Sequence, residues 1–177
     1  MGELRVAHTA DLDAGTLNGI RELMGVVFPD DFEEHDWEHA LGGMHALITE
    51  DGAPVAHASL VMRRIVHHGK ALRAGYVEAV GVHPGHRRQG HGGAVMEPLE
   101  RITRAAYDLG ALGATDQAAR MYAGRGWKRW QGPTYAITPD GVVRTEEEDD
   151  SIFVLPAGAS LDLTGSLTCD WRDGSVW

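Results

Sequence analysis

The chain of 177 residues holds one cysteine, Cys169. No intrachain disulfide can form, and a four-thiolate zinc site is excluded. No apolar run approaches the roughly 18 residues that a membrane helix needs. The segment Met1–Val6 lacks a basic stretch ahead of a long apolar one, so no signal peptide and no membrane association are expected, and the expected location is cytoplasmic. Cationic side chains are scarce as well: 16 Lys and Arg stand against 26 Asp and Glu, a net charge of −10. That balance argues against a nucleic-acid partner, which calls for a basic face. It leaves a soluble acidic surface or a cationic partner. What is present is ordinary for a globular protein, and the length predicts one domain that buries roughly 70% of its unfolded surface without cross-links.

The charge is unevenly placed. Six of the nine residues from Asp30 to Glu38 are acidic, and the run Glu146-Glu147-Glu148-Asp149-Asp150 is acidic throughout. The tail adds Asp170 and Asp173, whereas twelve of the 16 Lys and Arg residues, among them Arg63, Arg64, Arg87, Arg88 and Arg129, fall between 63 and 129. Any one acidic run reads most simply as a solvated face. Two of them flanking a basic centre also describe a bipolar site, with one end suited to an anionic cofactor and the other to a cationic substrate.

Periodicity and breakers predict a strand over 4–8, a helix from a Thr9 or Asp11 cap to about Phe28, and a second helix over about 32–41 ended by Gly42-Gly43. Strands follow at 44–49, 54–67 and 71–82, joined by turns at Asp51-Gly52 and His68-Gly69-Lys70. A glycine- and base-rich loop, His83 to Gly93, opens a helix running to about Leu109. Pro98 predicts a kink there or a late start. A strand near 111–114, a helix from an Asp116 cap to Ala123, and strands near 127–130, 135–138 and 151–155 complete the expected set. This order predicts a mixed sheet with helices on both faces.

Arg87-Arg88-Gln89-Gly90-His91-Gly92 lies between a strand and a helix. Free N–H groups and the dipole at a helix start attract anions. Glycine at 90 and 92 admits a phosphate close to the backbone, and arginine adds charge-assisted contacts. The sequence is neither a Walker loop nor a dinucleotide fingerprint. About 30 residues on comes Ala118-Ala119-Arg120-Met121-Tyr122-Ala123-Gly124-Arg125-Gly126-Trp127. Arg87, Gly90 and Gly92 satisfy [Arg/Gln]-x-x-Gly-x-[Gly/Ala], and together with the Tyr122 segment they resemble the GNAT superfamily of acyl-CoA-dependent N-acetyltransferases. The segments 36–47, 75–78 and 169–177 narrow the resemblance to the aminoglycoside 2′-N-acetyltransferases, along essentially the whole chain.

The resemblance implies a GNAT-type α/β fold, a mixed and mainly antiparallel sheet flanked by helices on both faces. It divides the chain into acceptor-side helices at about 11–41, a CoA-binding core at about 71–130 and C-terminal strands and tail at 131–177. It implies acetyl-CoA as donor, a polycationic amino sugar as acceptor, a homodimer and a part in antibiotic resistance. Arg87, Arg88, Gln89, Gly90, His91 and Gly92 would hold the CoA diphosphate. The backbone of Ala79, Val80, Gly81 and Val82 would receive the acetyl carbonyl and the pantetheine arm, an oxyanion-type role for N–H groups.

Glu78 is a lone acid in an apolar strand. It is either a satisfied structural group or a base that takes the amine proton, directly or through water. Strict alternation would put it on one face with Tyr76, Val80 and Val82. Tyr122 is either core packing or the acid to the departing CoA thiolate, a plausible donor since thiols and phenols have reference pKa values near ~8.5 and ~10. Asp31 and Asp36 on one side, and Glu147 and Glu148 on the other, are either solvated charges or the candidate substrate acids. Ala79, Gly113 and Trp177 join them by resemblance, the last through its carboxylate. Two departures stand out: Ser175 replaces an acid expected two residues before the final tryptophan, and Gly113 stands where a hydroxyl would be welcome.

Other readings use other residues. His35-Asp36-Trp37-Glu38-His39 has the His-x-x-Glu-His spacing of inverted zinc proteases, so a zinc hydrolase built on His35 and His39 is one alternative. An acetyltransferase for another cationic amine and a non-catalytic CoA-sensing module are the others. Cys169 as an acyl-carrying nucleophile has no obvious base.

Overall fold

The computed structural model describes residues 2–177, which form two compact units, one from 2–61 and 77–101 and the other from 62–76 and 102–177. Ten strands hydrogen-bond in the order β6 (Lys128–Arg129), β9 (Ile152–Pro156), β5 (Leu109–Gly113), β4 (Lys70–Val82), β3 (Ala53–His67), β10 (Leu167–Cys169), β7 (Thr134–Thr138) and β8 (Gly141–Arg144), with β1 (Glu3–His8) and β2 (Met44–Glu50) joined through β3. The sheet is mixed and mainly antiparallel, as expected.

In the first unit β1 (Glu3–His8) pairs antiparallel with β2 (Met44–Glu50), and β2 pairs antiparallel with β3 (Ala53–His67). The turn between β2 and β3 is Asp51-Gly52, with φ of 50° and 82°. Two consecutive left-handed residues match the twist of a tight hairpin, which is why Asp-Gly marks it. His68-Gly69, with φ of 48° and 74°, repeats this device between β3 and β4 (Lys70–Val82). Helix α1 (Ala14–Val27) starts later than expected. Thr9–Asp11 form a short 3₁₀ turn, and Asp13 is the cap, its carboxylate accepting from the Thr16 N–H at 2.9 Å. Thr9 cannot serve as a helix cap because its hydroxyl is committed to His45 at 2.7 Å.

Helix α2 (Glu34–His39) is shorter than the expected 32–41. Helix α3 (His91–Ala106) starts directly after Gly90 and carries Pro98 in its interior, so the late start does not occur. The core beside α1 and α2 gathers Leu12, Ile20, Trp37, Ala40 and Leu47, with Ala79 of β4 packed against it.

In the second unit β5 (Leu109–Gly113) runs parallel to β4, from Ala74 opposite Leu109 to Tyr76 opposite Ala111. Helix α4 (Asp116–Ala123) has Thr115, not Asp116, at its cap position. The Asp116 carboxylate instead accepts from Arg129 at 2.8 Å. β9 (Ile152–Pro156) pairs antiparallel with both β5 and β6 (Lys128–Arg129). β7 (Thr134–Thr138) and β8 (Gly141–Arg144) form a hairpin, and β10 (Leu167–Cys169) lies between β7 and β3. β8 and β10 have no counterpart in the sequence reading. β8 exposes Val142 and Val143, and β10, although it buries Leu167 and Cys169 on one face, spans only three residues, too few for alternation to be read from sequence.

Gly43 precedes β2 where the chain passes the backbone of β3, and a Cβ there would lie 2.0 Å from the Leu60 carbonyl oxygen. Gly43→Ala is therefore expected to lose about 3 kcal/mol or more in urea unfolding, since backbone cannot swing aside as a side chain can. Gly25→Ala, in α1 with open space around its Cβ, is expected to gain about 0.5–1 kcal/mol. Equal stabilities would contradict the packing described.

Candidate active site

β4 supplies the centre of the first unit's site. Its residue Ala79 has φ of +47°, the one left-handed non-glycine residue inside a strand among the described residues. A left-handed residue breaks the pleat, so the uniform alternation expected from Tyr76 to Val82 does not hold across it. Glu78, half-buried, sits immediately before this break. The Ser59 hydroxyl donates to the Glu78 carbonyl at 3.4 Å, and His57 Nδ1 lies 2.9 Å from the Ala79 carbonyl. Beyond it Gly81 admits α1: a Cβ there would meet Met24 Cε at 2.7 Å.

β4 ends at Val82 and the chain enters a 3₁₀ turn, Pro84–His86, then the turn 87–90. Arg88 and Gly90 are left-handed, with φ of 63° and 86°. Ala94 N–H bonds to the Gly90 carbonyl at 3.0 Å. The N–H groups of His91, Gly92 and Gly93 therefore precede the helix's own hydrogen-bond ladder and remain available to an anion. Arg87, Arg88 and Gln89 are exposed around them. These features fit a diphosphate. Both ends of the turn approach one carboxylate: His86 Nε2 and His91 Nε2 lie 3.4 and 3.5 Å from Glu50 at the end of β2. The sequence reading missed Glu50, since no motif links it to the turn and only the sheet places it there.

Trp37 and Ala79 belong to the same core cluster, which seats the acidic segment of α2 beside the β4 bulge. Asp36 accepts from the Glu33 N–H at 2.9 Å, closing the start of α2, and its other oxygen is 3.3 Å from His35 Nε2. Asp31 is exposed in the turn before α2. His35 Nδ1 lies 3.3 Å from Glu33, so neighbouring carboxylates engage both ring nitrogens of the histidine that a zinc site would need.

The second unit carries the remaining candidates. Tyr122 on α4 is buried, with its ring centroid 6.0 Å from Trp127 and 6.1 Å from Phe153. Gly126, with φ of 91°, turns the chain so that Trp127 N–H returns to the Tyr122 carbonyl at 3.1 Å. Gly113 ends β5, and a Cβ on it would lie 3.9 Å from the Tyr76 hydroxyl, so the position is open rather than crowded.

The acidic run near 146 is divided in its duties. Asp149 is structural: it pairs with Arg144 and accepts from Thr134, and the Arg144 hydrogen bonds hold its carboxyl below the usual range. Glu148 accepts from the Ser151 hydroxyl at 2.9 Å, while Glu147 is exposed.

Trp177 is buried, and its indole N–H donates to Thr145 at 3.0 Å, placing the tail against this run. Ser175 donates to the Trp177 main-chain oxygen at 3.0 Å. Arg63, whose part was not foreseen, anchors the tail: Nε donates to Asp170 at 2.8 Å and Nη2 to the Val176 carbonyl at 2.6 Å. The Cys169 thiol also donates to the Val176 carbonyl at 3.3 Å, and burial pushes its pKa up to about 11, which removes it as a nucleophile. The candidates thus divide: Asp31, Asp36, Glu78, Ala79, Val80–Val82 and Arg87–Gly92 lie in the first unit, and Gly113, Tyr122, Glu147, Glu148 and Trp177 in the second.

Three comparisons bear on this arrangement. Residues 10–129 match the family model described as an acetyltransferase (GNAT) domain. The chain is 53% identical over 177 residues to an aminoglycoside 2′-N-acetyltransferase of Mycolicibacterium fortuitum, covering 98% of this chain and 91% of that one. Its fold is similar to a GNAT family N-acetyltransferase (YhbS) of Escherichia coli in complex with CoA, with a TM-score of 0.64 at 16% identity, covering 95% and 89% of the two chains.

Burial lowers the pKa of His45 to about 4 and of His57 to about 3, with the charge of His8 adding to the first and that of His45 to the second. The folded state thus refuses protons that the unfolded chain accepts near pH 6.5. Stability is full above that pH and falls as the pH drops towards 4. A loss of about 2–4 kcal/mol between about pH 7 and pH 5 is expected from urea unfolding. A flat profile over that window would contradict the neutral, buried pair.

Proposed function

The chain belongs to the GNAT acetyltransferase family, and from that premise we propose that it transfers acetyl from acetyl-CoA to the 2′-amino group of aminoglycosides. One observation carries the acceptor assignment. The likeness to the Mycolicibacterium fortuitum protein, 53% identity, extends over 98% of this chain and so far beyond the cofactor motif at 87–92. The net charge of −10 and the acidic segments suit a polycationic acceptor.

In this reading residues 11–41 serve the acceptor and residues 71–130 the cofactor. Arg87–Gly92 hold the diphosphate through main-chain N–H groups and guanidinium charge. Acetyl-CoA, when bound, supplies an acetyl thioester. Val80, Gly81 and Val82 present N–H groups to its carbonyl and its pantetheine arm. Glu78 takes a proton from the acceptor ammonium, directly or through one water. The freed amine nitrogen bonds to the acetyl carbon as the carbon–sulfur bond breaks, Tyr122 gives its phenolic proton to the sulfur, and the second proton shed by the nitrogen returns through solvent to the Tyr122 phenolate, leaving a neutral amide and a thiol. Holding the reactants side by side supplies much of the acceleration, so no covalent enzyme intermediate is needed. Asp31, Asp36, Glu147 and Glu148, with Ala79, Gly113 and Trp177, face the amino sugar. The amide product has lost one positive charge, which is how the reaction would confer antibiotic resistance. A homodimer in the cytoplasm completes the reading on family resemblance.

Thiol release from acetyl-CoA, assayed over amines with and without a 2′-amino group, tests the assignment. Turnover confined to 2′-amino compounds is expected, and equal turnover of simple polyamines would redirect it to another cationic amine. Tyr122→Phe and Glu78→Gln should each lower kcat by about 10²- to 10⁴-fold. Full activity in Tyr122→Phe would end its role as acid. Asp36→Asn keeps an acceptor for the Glu33 N–H but loses the charge. It should raise the KM for the aminoglycoside by about tenfold and leave that for acetyl-CoA unchanged. The reverse pattern would mean that the pocket is assigned backwards.

A further inference from the structure

Two histidines have no part in the reaction above, yet both are sealed in the first unit at 0% exposure. His45 on β2 and His57 on β3 form a continuous chain from one loop to the β4 bulge. Thr9 Oγ1 lies 2.7 Å from His45 Nε2, His45 Nδ1 lies 2.9 Å from His57 Nε2, and His57 Nδ1 lies 2.9 Å from the Ala79 carbonyl. The protons on this chain are dictated from its far end. A carbonyl only accepts, so His57 Nδ1 carries the hydrogen. A neutral His57 then has a bare Nε2, which accepts from His45 Nδ1–H. His45 Nε2 in turn accepts from the Thr9 hydroxyl, whose other acceptor within reach, the Gly43 carbonyl, is farther away at 3.3 Å against 2.7 Å. Thr9 is fixed from its other side by the Gly42 N–H, which donates to Oγ1 at 2.9 Å.

The terminus of the chain is the informative part. Alanine has no side-chain group to support a left-handed backbone, and the conformation costs about 1–2 kcal/mol. Such strain persists where the surroundings over-determine it. The other left-handed non-glycine residues, Asp30, Asp51, His68, Arg88 and Asp150, all lie in turns. At the β4 bulge two consecutive carbonyls, of Glu78 and Ala79, face side-chain donors from Ser59 and His57, two residues apart on β3. The Ala79 carbonyl also belongs to the same peptide plane as the Val80 N–H. In a trans peptide these two groups point in opposite directions, so a bond that fixes the oxygen aims the N–H.

We propose that His57 is a positioning residue for acetyl transfer: held in its Nδ1–H form by His45 and Thr9, it fixes the Ala79 carbonyl and thereby aims the Val80 N–H at the acetyl carbonyl. This rests on the reading that Val80–Val82 receive that group. The substrate touches neither histidine. The contribution of the pair is a preset direction for a main-chain donor that would otherwise have to be oriented during the reaction.

The test combines a spectroscopic and a kinetic readout. In the wild-type protein, ring ¹⁵N shifts should show both His45 and His57 as Nδ1–H tautomers. An Nε2–H tautomer at His57 overturns the proposal without any variant. His57→Gln places its amide at the wrong reach for the Ala79 carbonyl, while His57→Asn keeps a donor at the δ position. His57→Gln should shift the Val80 amide resonance and lower kcat by about 10- to 100-fold, with both KM values within about threefold. His57→Asn should restore most of the lost kcat and the wild-type Val80 resonance. Equal kcat in the two variants, or an unmoved Val80 amide in His57→Gln, would refute the role. Should the wild-type protein fail to acetylate aminoglycosides, the acceptor assignment falls. The Val80 amide shift then still upholds or overturns the aiming of the N–H.

Discussion

The constraint on which the first unit turns is the way β4 hands the chain to α3. A strand must end, reverse through a short turn and release a helix whose first N–H groups stay unpaired. Two left-handed positions, Arg88 and Gly90, allow the reversal, and α3 begins at His91 without delay. Glu50 approaches the histidines at both ends of the turn, so the loop is tied to the sheet rather than left as a free arm. The same strand carries the break at Ala79 three residues before its end. Unpaired N–H groups after a strand and a bent main chain within it would suit an acyl donor with a charged handle and a reactive thioester.

The acids divide into two kinds, and the division matters for function. Asp13, Asp149 and Asp162 are spent on local hydrogen bonds that lower their pKa values. Asp36 both closes α2 and stands in the segment seated by Trp37 beside the bulge. Asp31 and Glu147 are exposed. A run of like charge is thus partly scaffold and partly available surface, and side-chain hydrogen bonds tell one from the other.

How much of this was legible in the sequence depended on how local its cause was. Asp51-Gly52 and His68-Gly69 specify their turns within two residues, and Gly90 marks the turn before α3 in the same way. The start of α1 was misplaced because Thr9 looks like a cap until His45, 36 residues away, claims its hydroxyl. Pro98 reads as a helix breaker, yet α3 continues through it. Nothing in alanine announces a left-handed bulge at 79, and nothing in Arg63 announces an anchor for residues 170 and 176. β8 escaped because its valines are exposed, and β10 because its alternation of Leu167 and Cys169 lasts only three residues. The chemistry of the candidate site was legible as residue types. Its supports, namely Glu50, His57, Ser59 and Arg63, come from long-range pairing and were not.

The central claim is that the start of α3 grips the diphosphate of CoA. Calorimetric titration of CoA and of pantetheine, which shares the arm but lacks the diphosphate, into wild-type and Gly90→Ala protein tests it most directly. A Cβ at Gly90 meets no atom within 4 Å, so the substitution perturbs only a backbone held at φ of 86°. The account predicts CoA binding weakened by about tenfold or more, with pantetheine binding unchanged. CoA affinity that is the same in both proteins would contradict it.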